Sequence, residues 1–210
     1  KHAFPLPTSL DPAFGAFCEP LACCIHGTDV AQIQPGSTVL VLGGGVIGLL
    51  TVQLAKLAGA NVMLATRNKA KRDLALRLGA TAVIDPAATD ITAEIQSLSH
   101  GGADVVMECA GVPETVEQAP KLARPGGRVV IVGVLAQGLK VQYEPFDLLF
   151  REIDIRTSFL NPYTHHRAAD LIANGRIEIE PLISRRASLD EVPEIVANPT
   201  CDRSRVIKRR

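Results

Sequence analysis

No stretch of this chain stays apolar for the roughly 18 residues that a membrane-spanning helix needs. The longest apolar run, residues 39–50, is broken by a Gly-rich turn. No signal-peptide pattern is visible either. Neither sign of charge is in excess, since 22 Lys and Arg face 22 Asp and Glu. That balance leaves no basic footprint for nucleic acid or for an anionic membrane surface, so neither is expected as a partner. The cysteines Cys18, Cys23, Cys24, Cys109 and Cys201 include no Cys-x-x-Cys pair, which argues against a structural zinc site closed within the chain. Their odd number and lack of framework spacing fit a reducing, cytoplasmic setting. Cys23 and Cys24 lie in an apolar stretch and read as small buried hydrophobes. Internal repeats and low-complexity segments are also missing. The chain opens in mid-phrase at Lys1 without an initiator Met, and the expectation is a natural C-terminus with a missing N-terminal part.

What is present is enough for a core: 47% of the 210 residues are apolar. Residues 1–18 are Pro-rich and turn-like, and the stretch before Asp11 is expected to pack poorly. A helix is expected at 19–30 and a β-branched strand at 38–42. A Gly-rich turn at 43–48 then leads into a helix running to about residue 58. That helix has only Thr51, Gln53 and Lys56 as polar residues, so it should be buried on more than one side. The alternation continues with strands at 62–66, 81–84, 103–109, 128–132 and 153–158. The helices between them fall at 69–78, 91–98, 113–123 and 146–151. Alternation of this kind predicts an α/β fold with a six-stranded, doubly wound parallel sheet of order 3-2-1-4-5-6. After Phe159 the rhythm changes, to helices at 163–173 and 189–196 and a last strand at 205–207.

Gly43-Gly44-Gly45-Val46-Ile47-Gly48 fits G-x-G-x-x-G. The string gains weight here because it follows a strand and opens a helix. Gly43 permits the tight turn, Gly45 lets a pyrophosphate approach the backbone, and Gly48 allows close packing of helix on sheet. The helix N-terminus then offers free N–H groups and a positive dipole end to the phosphates. A dinucleotide site that prefers NAD ends its second strand with an acid for the adenosine ribose. This strand ends Leu64-Ala65-Thr66-Arg67-Asn68, and Lys69, Lys71 and Arg72 follow before the first acid, Asp73. Each cation at a helix start is disfavoured by about 0.3–1 kcal/mol, a penalty that a bound anion removes. The 2′-phosphate of NADP would sit there, gripped by Arg67 with Lys71 in support. NADP is thus expected over NAD; a solvated basic face in an NAD enzyme is the plainer alternative.

With these phrases in hand, the chain resembles the C-terminal portion of a zinc-type medium-chain dehydrogenase/reductase, nearest the sorbitol (polyol) and threonine dehydrogenase branch. Cys18-Glu19-Pro20-Leu21-Ala22, Pro35-Gly36-Ser37-Thr38, Ala55-Lys56-Leu57-Ala58-Gly59-Ala60, Leu78-Gly79-Ala80 and Glu108-Cys109-Ala110-Gly111 carry the resemblance beyond the glycine turn. It implies a Rossmann domain over 21–158. The end of a mostly missing GroES-like catalytic domain would occupy 1–20, and a return segment into it 159–210. Glu19 would lie at the catalytic zinc, as ligand or as partner of its water. Val46 and Ile47 would line the pyrophosphate and adenosine side. Thr66, Arg67 and Lys71 would surround the ribose. Cys109 and Ala110 would also belong to the cofactor site, and Val132-Gly133-Val134 and Thr157-Ser158-Phe159 would flank the nicotinamide. The substrate would be a small alcohol or polyol, and the assembly a homodimer or homotetramer through the last strand.

Two departures stand beside the resemblance. The family's other zinc ligands are not in this chain, and His2, His26, His100, His165 and His166 do not replace them on sequence grounds. The acid of strand two is missing. Two other readings remain at this stage: a zinc-free quinone or enoyl reductase of the same superfamily, against which the Glu-Pro-Leu phrase speaks, and a non-catalytic nucleotide sensor.

Overall fold

The computed structural model describes residues 4–8, 10–99 and 101–197. Two helices, α1 (Pro12–Gly15) and α2 (Cys18–Ala31), precede the first strand, β1 (Thr38–Leu42). Then come α3 (Val46–Leu57), β2 (Asn61–Ala65), α4 (Lys69–Arg77), β3 (Ala82–Ile84), α5 (Ile91–Leu98) and β4 (Ala103–Glu108). The second half holds α6 (Pro113–Leu122), β5 (Ala123–Ile131), α7 (Pro145–Phe150), β6 (Asp154–Thr157), α8 (His165–Ala173) and, after two 3₁₀ turns, α9 (Val192–Ala197). The strands form one six-stranded sheet in the order β3-β2-β1-β4-β5-β6, with every pair parallel. This is the expected doubly wound α/β sheet.

Period-two alternation sorts the strand residues onto two cores. Val39, Val41, Val62, Leu64, Val105 and Met107 face α2, α3, α4 and α8. Leu40, Leu42, Met63, Ala65, Val106 and Val129 face α5 and α6. Helix α3 is covered as its composition predicts, with every residue from Gly48 to Ala55 buried. Its two central polar residues are paired: Thr51 Oγ1 meets Cys109 Sγ at 3.9 Å, and Gln53 exchanges hydrogen bonds with the backbone of Glu178 at 2.7 and 3.1 Å.

The sequence reading differs from the structure in three places. The strand expected at 128–132 begins earlier, at Ala123, because the Pro125-Gly126-Gly127 segment stays beside β4 as an irregularity; the register jumps from Ala103↔Ala123 to Val105↔Arg128. The stretch before Asp11 is mixed. Phe4 and Leu6 are exposed, but the Phe4 ring stacks on His165 with centroids 4.6 Å apart, and Leu10 is buried. The helix expected at 163–173 starts at His165, and residues 164–182 pack onto α2 and α3 within the same core as the sheet. The strand expected at 205–207 and residues His2, His100 and Cys201 lie outside the described residues.

Candidate functional site

The carboxyl ends of β1, β2 and β4 meet at the glycine turn. Gly43 has φ +106°, in the left-handed region that favours glycine. A methyl group there would also lie 2.9 Å from Ala110 N, so β1 and β4 close on each other as tightly as backbone allows. Gly45 caps α3 with no side-chain hydrogen bond. A methyl group on it would meet nothing within 4 Å. The surface beside the first turn of α3 is therefore open backbone, which is what an incoming diphosphate requires. Gly48 acts differently from expectation: a methyl there would lie 1.9 Å from Gly43 O, and only 3.4 Å from Val41 Cγ1. Its main constraint is the turn's own carbonyl, ahead of the sheet. Val46 and Ile47 are half-buried against the core.

Gly44, which sequence reasoning left without a role, sets how closely β2 and α4 approach the turn. A methyl on it would lie 2.9 Å from Thr66 Cγ2 and 3.1 Å from Lys71 Cβ, so the end of β2 and the start of α4 lean directly over the turn. The four cations there divide into two pairs. Lys69 bonds Asp73 at 2.8 Å. Arg72 is bound below the surface, to Thr66 O at 2.7 Å and to Asp85 at 2.9 Å. The side chains of Arg67, exposed, and Lys71, half-buried, have no ion pair or hydrogen bond among the described residues. Asn68 caps α4 by accepting from Lys71 N, and the first turn of α4 holds no acid.

On the other side of the turn stand the carboxyl ends of β4, β5 and β6. Cys109 is half-buried, and its thiol is pushed up to about 12 by burial, with the Glu108 carboxylate adding to the rise against a lowering bond from Thr51. It stays a neutral thiol at pH 7 and is a wall, not a nucleophile. Gly133 N and Val132 N both donate to Glu108 O at 2.9 Å. Val132 Cγ2 and Ser158 Oγ converge on Gly27 of α2, at 3.2 and 3.7 Å from a methyl placed there. The Ser158 hydroxyl is buried and has no hydrogen-bond partner among the described residues. Ala110 is exposed, and Val134 and Phe159 stand in solvent at 83% and 73% exposure, so the structure does not bring these into a closed wall.

Glu19 sits in the first turn of α2 and is exposed. Its Oε1 accepts from the Cys23 thiol at 3.3 Å and from Asn161 Nδ2 at 3.1 Å, and Asn161 also donates to Cys23 Sγ. Asn161 lies just beyond the carboxyl end of β6, so Glu19 stands on the rim that carries the glycine turn. Cys23 is half-buried in this polar contact, whereas Cys24 is a fully buried hydrophobe that donates to Ile47 O. No group of three or more His, Cys, Asp and Glu residues that could hold a metal occurs among the described residues. The donors here do not close a zinc site, and Glu19 is one candidate ligand. No helix among the described residues is long and apolar enough to cross a membrane.

A family model described as zinc-binding dehydrogenase matches residues 46–174. Sorbitol dehydrogenase of Bacillus subtilis is 32% identical over 193 residues, covering 91% of this chain and 54% of that protein. Sorbitol dehydrogenase of Gallus gallus is 33% identical, covering 92% and 55%. Among solved structures, a protein described as a zinc-binding dehydrogenase from Sinorhizobium meliloti, with NADP bound, superposes with a TM-score of 0.88 at 59% identity, covering 93% of this chain and 58% of that one. The chain thus spans a little over half the length of these relatives. With its sheet order, its glycine turn and these matches, the chain belongs to the zinc-binding medium-chain dehydrogenases, is sorbitol dehydrogenase-like, and corresponds to their Rossmann portion.

Proposed function

We propose that this chain binds NADP(H), with the pyrophosphate on the backbone of Gly43, Gly45 and Gly48 and the 2′-phosphate on Arg67 and Lys71. One observation carries the cofactor choice. Of the four cations around the start of α4, two are engaged with Asp73 and Asp85, and the other two stand beside the open turn without a counter-ion among the described residues. NADP in the Sinorhizobium meliloti relative supports the same choice. A charge-assisted hydrogen bond contributes about 1.5–3 kcal/mol, so Arg67→Ala should weaken NADP binding roughly 10- to 100-fold and leave NAD nearly unchanged. Titration of both cofactors against the two proteins tests this. Equal losses, or tighter NAD binding by the unaltered chain, would reduce the basic pair to a solvated face.

The whole protein is proposed to transfer hydride between C4 of the nicotinamide and a carbinol carbon of a small alcohol or polyol. When bound, zinc supplies Lewis-acid polarisation of the substrate oxygen. Glu19, held by Asn161, is the residue proposed to serve that metal directly or through water. With one candidate ligand among the described residues, this chain alone is expected to bind nucleotide without turning over alcohols. A homodimer or homotetramer through β6 is proposed as well. The outer edge of β6 is unpaired among the described residues, and the nearby α7 exposes Phe146, Leu149 and Phe150 at 67–79%, an apolar patch of the kind that marks an interface. Sedimentation should give a multiple of the chain mass that Phe150→Glu reduces; a monomer at micromolar concentration would remove the proposal.

A further inference from the structure

Glu108, the last residue of β4, was not singled out for any role by its sequence. It is fully buried, at 0% exposure, and ends a strand whose preceding residues Val105, Val106 and Met107 are buried and apolar. A buried carboxylate is costly unless donors surround it. Here a single oxygen, Oε1, takes three: Ala110 N and Gly111 N, each at 2.9 Å, and Thr115 Oγ1 at 2.7 Å. The other oxygen, Oε2, has no partner among the described residues and is closed off by Gly133, where a methyl would lie 2.5 Å from it and 2.3 Å from Gly111 N. The residues it grips are themselves contact points. Ala110 backs the glycine turn at Gly43, and a methyl on Gly111 would lie 2.9 Å from Val134 O. One carboxylate therefore holds together the carboxyl ends of β1, β4 and β5. This is the crevice where the strand order reverses and where such sheets place their ligand.

The geometry points to Glu108 as a positioning residue for the nicotinamide half of the cofactor site. It sets Ala110 and Gly111 at the height where Gly43 and Gly133 can pack on them. Buried polar atoms in folded cores nearly always have a hydrogen-bond partner, and one that lacks it calls for an explanation. Here all three donors converge on Oε1, and two of them are the backbone N–H groups of Ala110 and Gly111, the residues that pack against Gly43 and Val134. The inference rests on the dinucleotide reading above. It also makes a distinction within the site: the adenosine half, built by Gly44, Thr66, Arg67 and Lys71, lies across β1 from Glu108 and does not depend on it.

The test compares two ligands on the full chain. Adenosine 2′,5′-bisphosphate occupies the adenosine half only, and NADP occupies both halves. Glu108→Ala should weaken NADP binding about tenfold or more, the scale of losing hydrogen bonds to a charged group, while the bisphosphate changes less than about twofold. Glu108→Gln, which keeps an acceptor oxygen for Ala110 and Gly111, should recover most of the loss. Should Glu108→Ala not fold, Thr115→Val removes one donor from outside the strand and should give a smaller loss of the same kind. Parallel loss of both ligands would mean a general loosening of the sheet and overturn the inference, as would unchanged NADP binding in the variants. If the unaltered chain bound neither ligand, the dinucleotide reading itself would fall, and Glu108 with it.

Discussion

Gly45 and Gly48 are three residues apart in one motif, yet the space around them is opposite. Beside Gly48 the carbonyl of Gly43 leaves no room, with 1.9 Å to a methyl; beside Gly45 there is nothing within 4 Å. Gly48→Ala therefore has to move the turn or the helix, and the cost of such overpacking is about 1–3 kcal/mol or more. For a chain of this length each kcal/mol is roughly 2–4 °C in Tm. Gly45→Ala should leave Tm within about 1 °C, since it sits in open surroundings at φ −75°, but should weaken NADP binding because the methyl occupies the diphosphate's approach. Melting curves and titrations of the two variants check this together. A stable Gly48→Ala, or a Gly45→Ala that binds as well as the unaltered chain, would show that the motif is read wrongly. The G-x-G-x-x-G string was legible from sequence because its demands are local. The roles of Gly44 and Glu108 were not, because each depends on which backbone another strand brings near. An acid directly after the apolar Val105-Val106-Met107 at the end of β4 was the available signal.

At the scale of elements, strands and helices were mostly legible to within a residue or two, since burial on both faces gives the strands continuous apolar runs. Two features were hidden. One is the start of β5, where Pro125-Gly126-Gly127 reads as a break but stays in the sheet through the Gly126 N–H to Arg151 O bond at 2.7 Å. The other is the docking of residues 177–182 on α3. Their Ile177, Ile179 and Leu182 are buried, and the polar fastening comes from Gln53, itself 7% exposed. A sequence pattern marks Gln53 as a polar exception on an apolar helix but does not name its partner 125 residues away. Gln53→Leu keeps the volume and removes both bonds to Glu178, leaving a backbone donor and acceptor short of partners. The expected loss is about 2–3 kcal/mol, from two bonds of about 1–1.5 kcal/mol each. The amide of Glu178 should then exchange hydrogen much faster than in the unaltered chain. An amide as protected as before would mean that apolar packing alone holds this segment.

For the whole molecule, much of the balanced charge is fixed in ion pairs. Three carboxylates bind arginines across the β4–β6 half. Asp154 is held below the usual carboxylate range chiefly by Arg128, with Arg156 adding, and Arg128 reaches on to Ala31 O at the end of α2. Asp147 is held down by Arg151, whose guanidinium also bonds Ala123 O and Pro120 O. For Asp104, burial alone would raise the value, but the Thr38 N–H and Arg124 outweigh it and leave it lowered. A carboxylate whose folded value lies below its unfolded value of about 3.9 contributes stability that is present above that pH and is lost as pH falls through the folded value. The same direction holds at all three sites, so their losses add. Stability against heat should therefore be level with respect to these groups from neutrality down to about pH 5 and fall steeply below about pH 4. Each pair is partly exposed to solvent, so high salt should flatten the fall. Asp104→Asn retains an acceptor for Thr38 N–H, which fixes β1 against β4 at 2.7 Å, and removes one of the three titrations. Melting temperatures of the unaltered chain and this variant, taken from pH 3 to pH 7, should differ most at neutral pH and converge in acid. A constant difference across the range would mean that Asp104 acts through packing alone and that the acid sensitivity arises elsewhere.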